Sequence, residues 1–161
     1  LTLACTACRH HPWRRELLAE WARVAQEDGM GAFANEAARW LVGPRSLRRF
    51  WPAFSALGAV ALNVGADPFV SQVEAILSLD DHIRTQLVEV RVPTLVVVGS
   101  QDILTPLGDS EEIAELVPTA ELAVVTGAAH GFMFEHASAF NRTVLAFLDR
   151  LTNPVGDDVA A

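Results

Sequence analysis

Val92-Pro-Thr-Leu-Val-Val-Val-Gly-Ser-Gln-Asp102 decides the fold. Leu95 to Val98 is an unbroken apolar run rich in β-branched valine, the pattern of a strand buried on both faces of a parallel sheet. A loop from Gly99 to Pro106 follows, and residues 109–117 read as a helix with Ile113, Leu116 and Val117 turned inward. Residues 121–126 form a second strand. The loop Gly127-Ala-Ala-His130-Gly131 then leads into a last helix that buries Phe140, Val144, Phe147 and Leu148. Strand, helix, strand and helix in alternation from 92 to 150 predict a parallel α/β unit with a right-handed crossover.

Upstream the grammar is helical. After a strand at residues 1–5 and a loop ending at Pro12, Leu17, Leu18, Trp21, Val24 and Ala25 recur at helical spacing, with Arg14, Arg15, Glu20, Arg23 and Glu27 between them. A second helix spans residues 31–41 and stops at Gly43-Pro44. A third carries Leu47, Phe50, Trp51 and Phe54, and Pro52 should kink it. Asp67-Pro68 reads as an N-cap followed by the first helical residue, launching Phe69, Val70, Val73, Ile76 and Leu77. A short helix near residues 81–88 completes the series, and residues 152–161 read as a flexible tail.

The 161 residues are 51% hydrophobic, enough for one sizeable core. A net charge of −8 argues against a nucleic-acid partner, because phosphate binding is driven by Lys and Arg displacing counterions. No apolar run reaches the roughly 20 residues that span a bilayer, and no signal-peptide pattern opens the chain. The expectation is a cytoplasmic protein with no membrane partner. Cys5 and Cys8 have redox-pair spacing, but they straddle a strand end rather than open a helix, so they read as two small residues there. A zinc site from Cys5, Cys8, His10 and His11 is disfavoured, since four ligands in seven residues lack the separated pairs of structural zinc modules. No metal or cofactor is expected.

Asp102 and His130 each follow a strand, where open α/β sheets place functional groups. In that order they fit the acid and base of a Ser-Asp-His triad, with Asp109 and Glu135 as less suited acids and Glu135 better read as capping or orienting the last loop. A serine hydroxyl needs a base to take its proton, and the base needs a buried carboxylate to fix its tautomer. Here the residues support a resemblance. Val92 to Pro106, Gly127-Ala-Ala-His130-Gly-Phe-Met-Phe-Glu135 and the Ala139-Phe140-Asn141 helix resemble the C-terminal part of α/β-hydrolases, in the 3-oxoadipate enol-lactonase-like and esterase branch.

The resemblance implies an α/β fold class: the C-terminal part of an α/β-hydrolase, with three parallel strands visible and an inserted helical cap. Its core would be residues 1–11 and 67–151, and its cap residues 12–66. Asp102 and His130 would be catalytic. Trp40, Trp51, Phe54 and Phe132 are candidate walls for an apolar ester or lactone, although aromatics at this spacing also suit a plain core. Arg45, Arg48 and Arg49 fit a solvated basic face better than a carboxylate clamp. The chain has no tyrosine, which disfavours the epoxide-hydrolase subclass with its cap tyrosines.

One family element is missing. No Gly-x-Ser-x-Gly occurs: Ser100 lacks both flanking glycines, and Ser110 has Gly108 before it but Glu112 after it. With Leu1 opening directly in an apolar stretch, the expectation is a fragment. Its partner would be the N-terminal half of the same hydrolase, supplying nucleophile and oxyanion donors, and this chain alone would be inactive. A non-catalytic, receptor-like homologue, a dehalogenase and a carbon–carbon bond hydrolase of the same fold remain alternatives.

Overall fold

The computed structural model describes residues 1–49, 65–79 and 82–153. The aromatic positions Phe50, Trp51 and Phe54, the Pro52 kink and the tail from 154 onward lie outside the described residues. Three strands, β1 (Thr2–Ala4), β2 (Thr94–Gly99) and β3 (Ala120–Val125), form a parallel sheet in the order β1-β2-β3. Leu3 pairs with Val96, and Val96 with Leu122. All six residues of β2 are buried, as its valine run requires of a central strand.

The pleat divides β2 between two cores. Leu95 and Val97 join Val125, Ala128, Phe132 and Phe147 on one face, under the long helix α7 (Ala137–Thr152). Val96 faces Ile113, Val117 and Cys8 on the other, under α5 (Leu107–Leu116). Each fully buried valine contributes roughly 1.5–3 kcal/mol by leaving water. Phe140 and Val144 pack beside Phe147, whereas Leu148, expected inward, is 44% exposed. The stripe at 140, 144 and 147 fills the buried face, and Leu148 falls past its edge.

A helical layer stands over this unit. It comprises α1 (Pro12–Glu27), α2 (Met30–Leu41) and α3 (Asp67–Ser78), followed by α4 (His82–Gln86) and a single 3₁₀ turn (Leu87–Glu89). Residues 44–49 are also helical. α1 packs against both α2 and α3. Trp21, Ala37 and Leu104 centre the cluster, with the Phe33 and Phe69 rings 4.2 Å apart. The sequence groups 67–151 with the sheet, but α3 packs on α1, because Phe69 and Val73 face that layer rather than open solvent. Asp67 lies inside the first turn of α3 and makes no capping hydrogen bond; Ala66 is the N-cap. Among the described residues, no helix is long and apolar enough to cross a membrane.

The two layers are joined by a buried charge. Arg14, 2% exposed on α1, pairs with Asp109, 5% exposed on α5. Its other donors reach the carbonyls of Leu104 (2.9 Å) and Arg9 (3.0 Å). With each of its three nitrogens bonded in this way, a buried arginine fixes the orientation of α1 over the sheet. Arg14→Met should therefore cost about 3–5 kcal/mol in urea unfolding, because Asp109 is left buried and unpaired. Adding Asp109→Leu should recover part of that loss; a double variant no more stable than the single one would contradict the pairing.

Candidate active site

The site begins with two loops at the carboxyl ends of β2 and β3. Gly99 makes their contact possible: a Cβ there would overlap the Ala128 carbonyl oxygen and stand 2.6 Å from that of Ala129. Backbone bonds then lace the loops together. Ser100 N–H donates to Val125 O (3.0 Å), Gln101 N–H to Ala128 O (2.8 Å), and Gly127 N–H to Ser100 Oγ (2.8 Å). Gly127 has a φ of 76°, a left-handed turn that glycine adopts without steric cost.

Asp102 is 5% exposed and surrounded by donors. Oδ1 accepts the backbone N–H groups of Leu104 and Thr105, both at 2.9 Å; Oδ2 accepts the Thr105 hydroxyl at 2.9 Å. His130 Nδ1 also lies 2.9 Å from Oδ2, and 3.2 Å from Thr105 Oγ1. Burial works to raise the Asp102 pKa, but the hydrogen bond and charge of His130, with the two Thr105 donors, hold it below the ordinary carboxylate value. An ionised carboxylate only accepts, so Nδ1 carries a proton in either charge state, and in the neutral ring Nε2 presents its lone pair. Among the described residues, both hydrogen-bond partners of the imidazole sit on Nδ1. The His130 side chain is 22% exposed. The arrangement can accept a proton at Nε2 and stabilise the resulting cation.

The structure thus brings Asp102 and His130 together and takes the other carboxylates elsewhere. Asp109 pairs with Arg14, and His11 Nε2 lies 3.6 Å from it. Glu135 accepts from Gly43 N–H at 3.0 and 3.2 Å, and Gly131 N–H donates to Leu41 O at 2.5 Å, so the histidine loop is stitched to the end of α2. That arrangement is one in which Glu135 orients the last loop.

The aromatic candidates fare differently. Trp40 stacks on Trp13 (centroids 6.0 Å apart) within the cluster that holds Leu104, two residues from Asp102. Phe132 is fully buried, edge-on to Phe140, and offers no surface to a ligand; its place is the core, because α6 (Phe132–Glu135) turns it under the sheet. Trp51 and Phe54 lie outside the described residues. Arg45 and Arg48 are exposed. A cavity of about 320 Å³ opens at the starts of α1 and α5, between Arg9, Trp13, Asp109 and Glu112; neither Asp102 nor His130 lines it.

Thr105 and Cys5 are the site neighbours that the sequence did not place beside Asp102 and His130. The Asp-x-x-Thr spacing of 102 and 105 is a turn signal that fits Thr105, since such side chains bond locally to backbone and to one another. Cys5 and Cys8 are both free thiols and belong to different cores, so they form no redox pair. Among the described residues, the ligand-type side chains that converge are Cys5, Asp102 and His130, with one donor atom each within 4.8 Å of the others. Holding a metal there would require giving up the Asp102–His130 hydrogen bond.

Residues 77–160 match the TAP-like protein family model of the α/β-hydrolases. The chain is 36% identical over 97 residues (60% of its length, 5% of the relative's) to polyketide synthase ThaQ of Burkholderia thailandensis. It is 37% identical over 82 residues (51% of its length, 30% of the relative's) to a putative carbamate hydrolase RutD of Caulobacter sp.. The enol-lactonase structure from Burkholderia xenovorans LB400 superposes with a TM-score of 0.80 at 26% identity, over 91% of this chain and 55% of that one. The chain therefore spans about half of the enol-lactonase and less of these two sequence relatives.

The donors around Asp102 carry a measurable pH signature. A carboxylate whose folded pKa is depressed adds stability above its unfolded value, near 3.9, and that stability is lost as pH falls through the folded value. Thr105→Val removes one donor and should cost about 1.5–3 kcal/mol in urea unfolding at neutral pH. The gap between variant and wild type should shrink on acidification to about pH 3; a gap unchanged by pH would show that Thr105 acts through packing alone.

Proposed function

The chain belongs to the α/β-hydrolase superfamily, and on that footing we propose that it carries the acid and general base of a serine-type hydrolase acting on an ester, lactone or related acyl bond. The observation that carries this reading is the 2.9 Å contact of His130 Nδ1 with a buried Asp102 carboxylate, which leaves Nε2 to face the chemistry. Nε2 takes the proton of the attacking hydroxyl and later delivers it to the leaving group. Asp102 holds the tautomer and stabilises the imidazolium between those two steps.

The nucleophile and the oxyanion donors come from a strand-elbow-helix segment outside these 161 residues, the N-terminal half of the same hydrolase. Two facts support this. No Gly-x-Ser-x-Gly occurs in the chain, and no described residue bonds to Nε2. On this reading the chain alone hydrolyses nothing. The acyl class is supported by the enol-lactonase and carbamate hydrolase names of its relatives. An apolar substrate is supported by the exposed Trp13 and the Trp40 ring stacked on it, in the helical layer that this reading takes as the cap.

The test uses the assembled, nucleophile-bearing protein and a panel of aryl esters and lactones. Asp102→Asn should lower kcat by about four orders of magnitude, with KM changed little, because the wrong tautomer is held in place. His130→Ala should cost at least as much. Near-normal hydrolysis by either variant would sink the assignment. Covalent labelling by a fluorophosphonate should accompany activity, and its absence in a folded, assembled protein would favour a ligand-binding homologue.

A further inference from the structure

Cys5 directly follows β1, in a conformation that cysteine rarely adopts. Its φ is 46°, in the left-handed region where a Cβ is crowded, and it is the one non-glycine residue with positive φ among those described. Such strain persists only where surrounding structure over-determines it. The constraint is visible on both sides of the residue: its N–H donates to Val97 O at 2.9 Å, and its side chain is packed in the core beside Val97 and Ala128, 7% exposed. An extended Cys5 would continue the strand. The left-handed one turns its sulfur to within 4.8 Å of both the Asp102 carboxylate and a ring nitrogen of His130.

A thiol in that place has few roles. Disulfide exchange needs a second thiol, and Cys8 lies in the other core. Nucleophilic attack needs a thiolate. Burial first, and then the charge of Asp102, push the Cys5 thiol up to about 12, so it keeps its proton. A protonated thiol is a hydrogen-bond donor, and its charged neighbour is an acceptor.

We propose that Cys5 is a positioning residue for the Asp102–His130 pair, its S–H donating to the Asp102 carboxylate from the end of β1. The groups that face this carboxylate are then Cys5 from β1, Leu104 and Thr105 from its own loop, and His130 from the loop after β3. Each of the three strands contributes a donor or the acceptor, so the carboxylate is held across the whole sheet end. The catalytic meaning of this role rests on the assignment of Asp102 and His130 as acid and base; the hydrogen bond itself does not.

The S–H stretch in the infrared reads the bond directly at neutral pH. The Cys5 band, identified as the one lost in Cys5→Ser, should lie below that of a thiol without an acceptor and move up in Asp102→Asn. In carbon-13 titrations, the Asp102 carboxyl midpoint should rise by about half a unit or more in Cys5→Ala, because a donor to the charged form is gone. It should stay at or below wild type in Cys5→Ser. Cys5→Gly relieves the left-handed strain and also lacks the donor, so it should match Cys5→Ala even if the alanine variant folds poorly. A Cys5 band at the acceptor-free position that ignores Asp102→Asn, or a Cys5→Ser titration that follows Cys5→Ala, overturns the proposal. In the assembled hydrolase, Cys5→Ala should lower kcat with KM unchanged and Cys5→Ser should restore it. Should His130→Ala retain activity, the catalytic assignment fails while the infrared and titration results still decide the hydrogen bond.

Discussion

The contact of Gly99 with the backbone of Ala128 and Ala129 is the constraint on which the site depends. A parallel sheet fixes where β2 and β3 end, and the register pairs Gly99 with Val125 at that end. Register alone would leave two loops side by side. Without a side chain at position 99, the histidine loop settles onto the acid loop at a distance that no Cβ would permit. The hydrogen bonds of Ser100, Gln101 and Gly127 then lock the two as one body. The 2.9 Å separation of Asp102 and His130 follows from packing that is already in place, so ordering the pair requires little further loss of freedom.

Electrostatics explains why this packing is stable with a buried charge inside it. An isolated carboxylate at 5% exposure would be strongly disfavoured, yet Asp102 is ionised because each of its oxygens accepts two hydrogen bonds. The same loop also anchors the helical layer. Leu104 packs in the Trp21 cluster, and its carbonyl accepts from Arg14, whose remaining charge is balanced by Asp109. The acid loop is thus held from below by the sheet and from above by α1.

What the sequence disclosed follows from the range of the signals. The valine run of β2 and the helical stripe at 140, 144 and 147 are local patterns, and local patterns fix element type and the buried face. Asp102 and His130 were legible because strand ends locate them without any tertiary knowledge. Arg14 and Asp109 were not, since their pairing joins positions 95 apart and no periodicity links them. The burial of Phe132 is not legible either, because its direction depends on the short helix after Gly131, and Gly131 itself bonds to Leu41. β1 stops at Ala4 rather than residue 5, and the cause is the left-handed turn of Cys5. The packing of α3 on α1 was equally hidden, because an amphipathic helix declares that it has a buried face but not which layer that face meets.

The imidazole is asymmetric in a way that gives the pair a direction. Nδ1 has both of the described hydrogen-bond partners, one of them a carboxylate that must remain ionised to accept its proton. A half-turn of the ring about Cβ–Cγ would put Cδ2 where Nδ1 lies, break that bond and leave a buried charge short of a donor, at a cost that the loop packing does not otherwise offset. The ring, 22% exposed, is therefore held through Nδ1, which leaves Nε2 without a hydrogen bond among the described residues. On the proposed reading, a histidine fixed in this way acts on whatever hydroxyl is brought to Nε2, and the geometry of the pair is set by the loops of this chain. The identity of the substrate is set by the surfaces that deliver it.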